Sequence, residues 1–371
     1  MNGPLASLKI LDFSTLLPGP FASLLLADMG AEVLRVESPT RMDLVRVLPP
    51  HVDGTSASHA YLNRNKRCIA LDLKQAEAVE VVKQLVQEYD IVLEQFRPGV
   101  MDKLGVGYEA LKAINPKLIY VSITGYGQTG PLRDRAGHDI NYLALAGVAS
   151  YTGRRESGPL PLGVQLADIA GGSLHGVMGL LAAVIHRQQT GEGQQVDVSM
   201  TDCAFSLHGM AGAGYLAAGV EPEMEGLALN GGSFYDYYRT RDGRWFSVGS
   251  LEPQFMQQFC TAIGRPELAA RGCRPNRKSS SRSSAKSPSS SRSRTSLTGW
   301  SALPRWTPVS SRCCPWPRRW NIRSCVNGVW SRRCPTARAG RNGRRPARSV
   351  SPPACPSHAI SALRWERTRC R

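Results

Sequence analysis

Apolar residues along the chain follow two periods. Compact runs, LKILDFS (8–14), EVLRVES (32–38), CIALDL (68–73), IVLEQF (91–96) and LIYVSIT (118–124), read as buried strands. PFASLLLADMG (20–30) instead carries apolar residues at helical spacing and closes on Gly30. QAEAVEVVKQLVQEYD (75–90) is an amphipathic helix, with Ala78, Val81, Val82, Leu85 and Val86 on one face. Residues 97–117 read as a turn and two short helices, and 39–60 as a polar, proline-containing loop. Strands alternating with helices predict βαβ units, hence a parallel sheet with helices on its faces.

Further along, a helix is expected over 141–148, a loop over 151–163 and a long apolar helix over 173–191. Residues 194–202 read as strand and turn, and 205–219 as a helix of small residues. Alternating aromatics around Asp242-Gly243 mark a β-hairpin, and 256–272 a helix pair. The expected layout is an α/β, Rossmann-like large domain over 1–220, the start of a smaller α+β domain over 221–272, and a distinct tail over 273–371. No G-x-G-x-x-G follows the first strand, so the motif for a dinucleotide cofactor is missing.

The chemistry gathers after the turn GYGQTGP (125–131), at the end of a strand, where open α/β sheets bind ligands. AGHDINYLALAG (136–147) sets His138 beside Asp139. Asp168 follows in LADIAGGSLHG (166–176), and Glu252 in VGSLEPQF (248–255). One imidazole and three carboxylates at element edges suit proton transfer. Each acid also has a plainer reading as a helix cap or first-turn acid, and His138 as a loop histidine. The cluster Arg64, Lys66 and Arg67 is either a solvated patch or a phosphate site.

Composition divides the chain. The net charge is +17, but residues 274–371 hold 23 Lys and Arg against one acid, Glu366. The remaining residues hold 23 basic against 28 acidic, so the body is mildly acidic. Six of the seven Trp and six of the ten Cys also lie beyond residue 274. The tail has no strand or helix period. It reads as an Arg/Ser-rich polyanion binder, a disulfide module without a recognisable framework, or an out-of-frame translation of a GC-rich gene. The abrupt break inside a helical segment favours the last, which would make the product catalytically defective and any nucleic-acid binding non-specific. The N-terminal residues carry no secretory pattern, and the four body cysteines are widely spaced, so a cytoplasmic protein without membrane association is expected.

In order and spacing, several stretches of the body resemble the family III CoA-transferases, and within them the α-methylacyl-CoA racemase branch. They are LPGPFASLLLADMGAEVLRVE (17–37), LDLK (71–74), EQFRPGVMDKLG (94–105), LIYVSITGYGQTGP (118–131), AGHDINYLALAG, ADIAGG (167–172), GEGQQVDVSM (191–200) and the segment from Phe234 to Phe255. The resemblance implies a dimer of interlocked rings and an acyl-CoA substrate, with CoA part of the substrate and no separate cofactor or metal. It makes Asp168 the acid common to transferases and racemases: a nucleophile in the former, an acid/base in the latter. His138 becomes the opposite base, supported by Glu252. The helix start at Asp168–Gly172 would offer backbone donors to the enolate. For CoA it implies Leu71, Asp72, Leu73 and Lys74, together with Gly137, Ile140, Asn141 and Tyr142; Arg35, Arg64 and Arg97 are the candidate cations. Ser38 follows Glu37 where many racemases carry Arg, and residues 273–371 match nothing in the family's C-terminal return segment. The function so implied is racemisation of a 2-methyl-branched acyl-CoA, with CoA transfer between carboxylic acids through Asp168 as the alternative.

Resequencing the coding DNA checks the tail. A frame shift should restore an ordinary globular sequence after residue 272, whereas an unaltered open frame would leave the basic tail genuine.

Overall fold

A computed structural model describes residues 3–271 and 310–312. They form two compact units, one of 3–148 and 161–209, the other of 149–160 with 210–271 and 310–312. The tail readings otherwise fall outside the described residues.

The first unit is built on six parallel strands: β1 (Lys9–Asp12), β2 (Glu32–Glu37), β3 (Arg67–Ala70), β4 (Ile91–Glu94), β5 (Ile119–Thr124) and β6 (Gln195–Ser199). Their spatial order is β6-β5-β4-β1-β2-β3. This is the doubly wound Rossmann order, with its switch point between β1 and β4. The α/β reading is therefore borne out.

Period-two alternation explains the two-layer core. Ile10, Val33, Ile91, Leu93, Ile119, Val121 and Ile123 face one side of the sheet. Leu11, Leu34, Val36, Val92 and Tyr120 face the other. The first side is covered by α1 (Pro18–Asp28) and by a helix that runs Ala167–Leu174 as a π-helix and His175–Thr190 as an α-helix, here α2 as a whole. That helix is long and apolar enough to cross a membrane by composition alone. In this fold its Val177, Leu180, Ala183 and Val184 are buried in the core on that side of the sheet. Residues Ala76–Leu85, Val100–Lys103 and Tyr108–Lys112 are helical and supply Val82, Met101 and Leu111 to the second side. Each such side chain contributes roughly 1.5–3 kcal/mol on burial.

Three sequence expectations change. The 39–60 loop contains a 3-10 turn at Leu44–Val47 and a two-residue ladder, and a helix, Ala57–Asn63, begins at its end. That helix is too short to show an apolar period; Ser56 starts it by accepting the His59 N–H. The 151–163 loop holds a short antiparallel ladder, Gly153–Arg154 with Gly158–Pro159. The turn after β6 is a helix, α3 (Met200–Ser206), capped by Ser199.

In the second unit, β7 (Asp236–Arg239) and β8 (Trp245–Val248) form the expected hairpin. A third strand from the tail, β9 (Ser310–Arg312), pairs with β8, so this short piece of the tail does have structure. Phe246 and Val248 pack under Met256, Phe259 and Cys260 of α4 (Pro253–Ala262). Arg154 grips Asp236 with both terminal nitrogens, at 2.5 and 2.8 Å, tying the 149–160 segment into this unit.

Glu94 ends β4, is 4% exposed and faces the second layer. Its Oε2 accepts the Phe96 N–H at 2.7 Å, but burial dominates and pushes the carboxyl up to about 7 from its ordinary 4.5. The folded chain therefore keeps a proton that the unfolded chain releases, so stability falls as pH rises from about 4.5 through about 7. Glu94→Gln should remove that decline. Urea unfolding at pH 5 and pH 8 should show the wild type losing up to about 3 kcal/mol more than the variant between the two.

Candidate active site

The site residues of the first unit come from two chain segments beyond β5. The helix α5 (Asp139–Leu145) begins at His138, whose backbone N–H donates to Asn141 Oδ1 at 3.0 Å and whose ring is exposed. Behind it Tyr142 is buried. Its ring lies edge-on to Tyr126 at 5.3 Å and its hydroxyl donates to the Gly137 carbonyl at 2.5 Å. A Cβ at Gly137 would stand 2.6 Å from the Tyr142 ring and 2.7 Å from the Tyr126 hydroxyl, so the GHD turn needs glycine there. Burial pushes the Tyr142 hydroxyl up to about 12, leaving it a neutral donor.

Asp139 is 7% exposed and points away from solvent. Its Oδ1 accepts the N–H groups of Ala167 at 2.6 Å and Asp168 at 3.1 Å. It thus caps a helix that is not its own: the π-helical start of α2, where Asp168 sits. The plainer reading of Asp139 as a helix cap thus applies to a helix other than the one that follows it in the chain, because local spacing does not reveal a partner 28 residues away.

Asp168 is half-buried, and its carboxyl is pushed up to about 6, first by burial and then by the charge of Asp139. The ADIAGG stretch holds it by close packing. A Cβ on Gly171 would lie 2.8 Å from the Met200 carbonyl of α3, and one on Gly172 3.1 Å from Pro18 of α1. The Ser173 hydroxyl lies 2.6 Å from the Pro18 carbonyl and 3.2 Å from that of Asp168.

One expectation is corrected. The leading N–H groups of this helix are not open to an enolate: Ala167 and Asp168 give theirs to Asp139, and Ile169 to the Gln165 carbonyl at 2.9 Å. Glu252 lies in the second unit, exposed at the N-cap of α4 without a side-chain capping bond.

The residues expected around CoA divide. Leu71, Asp72 and Leu73 are half-buried just past β3, while Lys74, Arg97, Ile140 and Asn141 are exposed. Arg35 is instead 1% exposed and engaged with Asp43 at 2.5 Å, Glu37 at 2.9 Å and His59 at 3.1 Å, so its charge orders the segment after β2. Arg64 holds Asp28 through Nη2 at 2.5 Å and Nε at 3.2 Å. Lys66, read as part of an exposed patch, is buried at the switch point. It donates to the Pro20 carbonyl at 2.9 Å and lies 3.5 Å from Asp12, which also accepts from Ser14 and Ser23. Burial lowers the Lys66 ammonium to about 8. The sequence reading did not find this Asp12–Lys66 pair; its one visible signal is an acid that closes the strand KILD inside the otherwise buried run after Lys9.

The model of CoA-transferase family III matches residues 5–296, which includes every site residue above. The chain belongs to CoA-transferase family III. The match runs past the composition break near residue 274 and leaves 297–371 outside it. Among curated family members, the chain is 40% identical over 263 residues to an alpha-methylacyl-CoA racemase of Homo sapiens, covering 70% of this chain and 65% of that protein. It is 38% identical to a succinate–glutarate CoA-transferase of Agrobacterium fabrum, covering 72% and 68%. A crystal structure of a CAIB/BAIF family protein from Brucella suis is 37% identical, with a TM-score of 0.66 over 73% of this chain and 72% of that one. The family thus includes both racemases and transferases at similar distance.

Gly171→Ala forces a methyl against the Met200 carbonyl and should destabilise the first unit by about 1–3 kcal/mol in chemical denaturation. Gly163→Ala, with open space around it, is the matched control and should be near neutral.

Proposed function

We propose that this family III protein acts as an α-methylacyl-CoA racemase-like enzyme on a 2-methyl-branched acyl-CoA. The observation that carries the reading is the tie between the two motif segments: Asp139 accepts the Ala167 and Asp168 N–H groups, and in that setting burial pushes the Asp168 carboxyl up to about 6, which suits proton transfer near neutral pH. His138, an exposed residue, opens the helix whose Asp139 is hydrogen-bonded to the Asp168 N–H, which supports His138 as the second group. In the proposed reaction one of these groups takes the α-proton as the C–H electron pair moves into the thioester carbonyl. The enolate then takes a proton from the other group on the opposite face. One C–H bond breaks, one forms, and the two groups exchange protonation states. CoA is part of the substrate, and the step calls for no separate cofactor. The exposed cations Arg97 and Lys74, with Asn141, are the proposed contacts for its polar groups.

A second reading is CoA transfer between carboxylic acids through Asp168, supported by the 38% identity to a transferase. A homodimer is part of either reading. The helix Gly209–Ala218 has no buried residue, and Met210 and Leu216 are 80% and 84% exposed, an apolar face that suits a second copy of the chain.

Incubation of 2-methylacyl-CoA in deuterium oxide distinguishes the readings. Racemisation should place deuterium on the α-carbon, and His138→Ala should slow it by about 10²–10⁴-fold. No α-exchange, together with hydroxylamine trapping of an Asp168 thioester, would replace this reading with transfer.

A further inference from the structure

We infer that Asp139 is a positioning residue whose capping of α2 withholds that helix's N-terminal N–H groups from the Asp168 carboxylate. The inference rests on the reading of Asp168 as a proton-exchanging group. An aspartate in the first turn of a helix ordinarily gains from the free N–H groups and the positive end of the helix, which hold it ionised. Here that benefit goes elsewhere. Two N–H groups converge on a single oxygen of Asp139 at 2.6 and 3.1 Å, and the third is spent on the Gln165 carbonyl. Asp139 is buried, so its charge is poorly screened by solvent.

The other groups on the elements around Asp168 do not reproduce this effect. His138 at the start of α5 is exposed, Tyr142 of that helix is neutral, and Arg97 bears on that tyrosine. Asp28 of α1 is paired with Arg64. His175 of α2 sets its Nδ1 against the Ala170 carbonyl at 2.6 Å. Asp197 of β6 accepts the Gln128 N–H, and α3 carries Asp202. The charge that acts on Asp168 is that of Asp139, and it acts in the same direction as burial.

Asp139 therefore does two things through one carboxylate. It fixes the Asp168 backbone, and it keeps the Asp168 side chain able to hold a proton near neutrality. Asparagine separates these roles, because its amide oxygen can still accept both N–H groups but carries no charge.

The test follows the Asp168 carboxyl by carbon-13 NMR on aspartate-labelled protein, in the wild type and in Asp139→Asn. Its titration midpoint should fall by about half to one pH unit in the variant, with the acid limb of kcat/KM moving the same way. In the wild type, the Ala167 and Asp168 amide signals should keep the shift of carboxylate-bonded N–H while Asp168 titrates. That measurement stands even if the variant does not fold. An unmoved midpoint in a folded variant, or amide signals that lose that shift as Asp168 titrates, would overturn the inference. The NMR titration does not depend on turnover, so a wild type without α-proton exchange would sink the racemase reading and leave this result intact.

Discussion

One buried carboxylate joins the two segments of the candidate site. Asp139 stands at the start of one helix and closes the start of another, 28 residues further along. Without that link, the GHD turn and the Asp168 helix would depend on apolar packing, which does not fix a side chain to within a fraction of an ångström. Two hydrogen bonds to one charged oxygen are directional, and each is stronger than its neutral counterpart. The cost is a desolvated negative charge beside a second acid. The protein offsets it by letting the second acid hold a proton more readily.

The same economy recurs along the carboxyl edge of the sheet. Asp12 closes β1 against Lys66, Arg35 of β2 is enclosed by Asp43, Glu37 and His59, and Glu94 closes β4 as a carboxyl pushed toward neutrality. A parallel sheet buried on both faces provides little solvent for such groups, so each needs a partner or a proton. These arrangements order the loops that leave the strands, and those loops form the rim on which a family III substrate site would be built. Arg35 and Lys66 are therefore buried structural cations, whereas Arg97 and Lys74 remain exposed.

Much of the first unit was legible in the sequence, because its four central strands are buried and read as continuous apolar runs, whereas the edge strands β3 and β6 are largely exposed. The long helices show their period equally plainly. What escaped is short or non-local. Ala57–Asn63 is too brief to display a face, and β9 pairs only because a distant strand offers it an edge. His138, Asp139 and Asp168 were visible as a motif, but the direction of the Asp139 side chain was not. Its partners are backbone N–H groups, which no residue type announces. The burial of Lys66 and Arg35 was hidden for a related reason: a cation in a polar stretch looks solvated until the fold supplies its counter-charge.

The π-helical turn at Ala167–Leu174 has a geometric consequence for the helix as a whole. A wider turn adds fewer degrees of rotation per residue than the α-helical turns after it, so the two parts keep different faces in line. A helical wheel drawn over 167–190 at one period would put Asp168 at the wrong azimuth relative to the stripe Val177, Leu180 and Val184 that anchors the helix in the core. The local unwinding acts as an angular offset between the anchoring stripe and Asp168. It lets one continuous helix bury an apolar stripe along most of its length while aiming its first acid in a direction that stripe does not dictate.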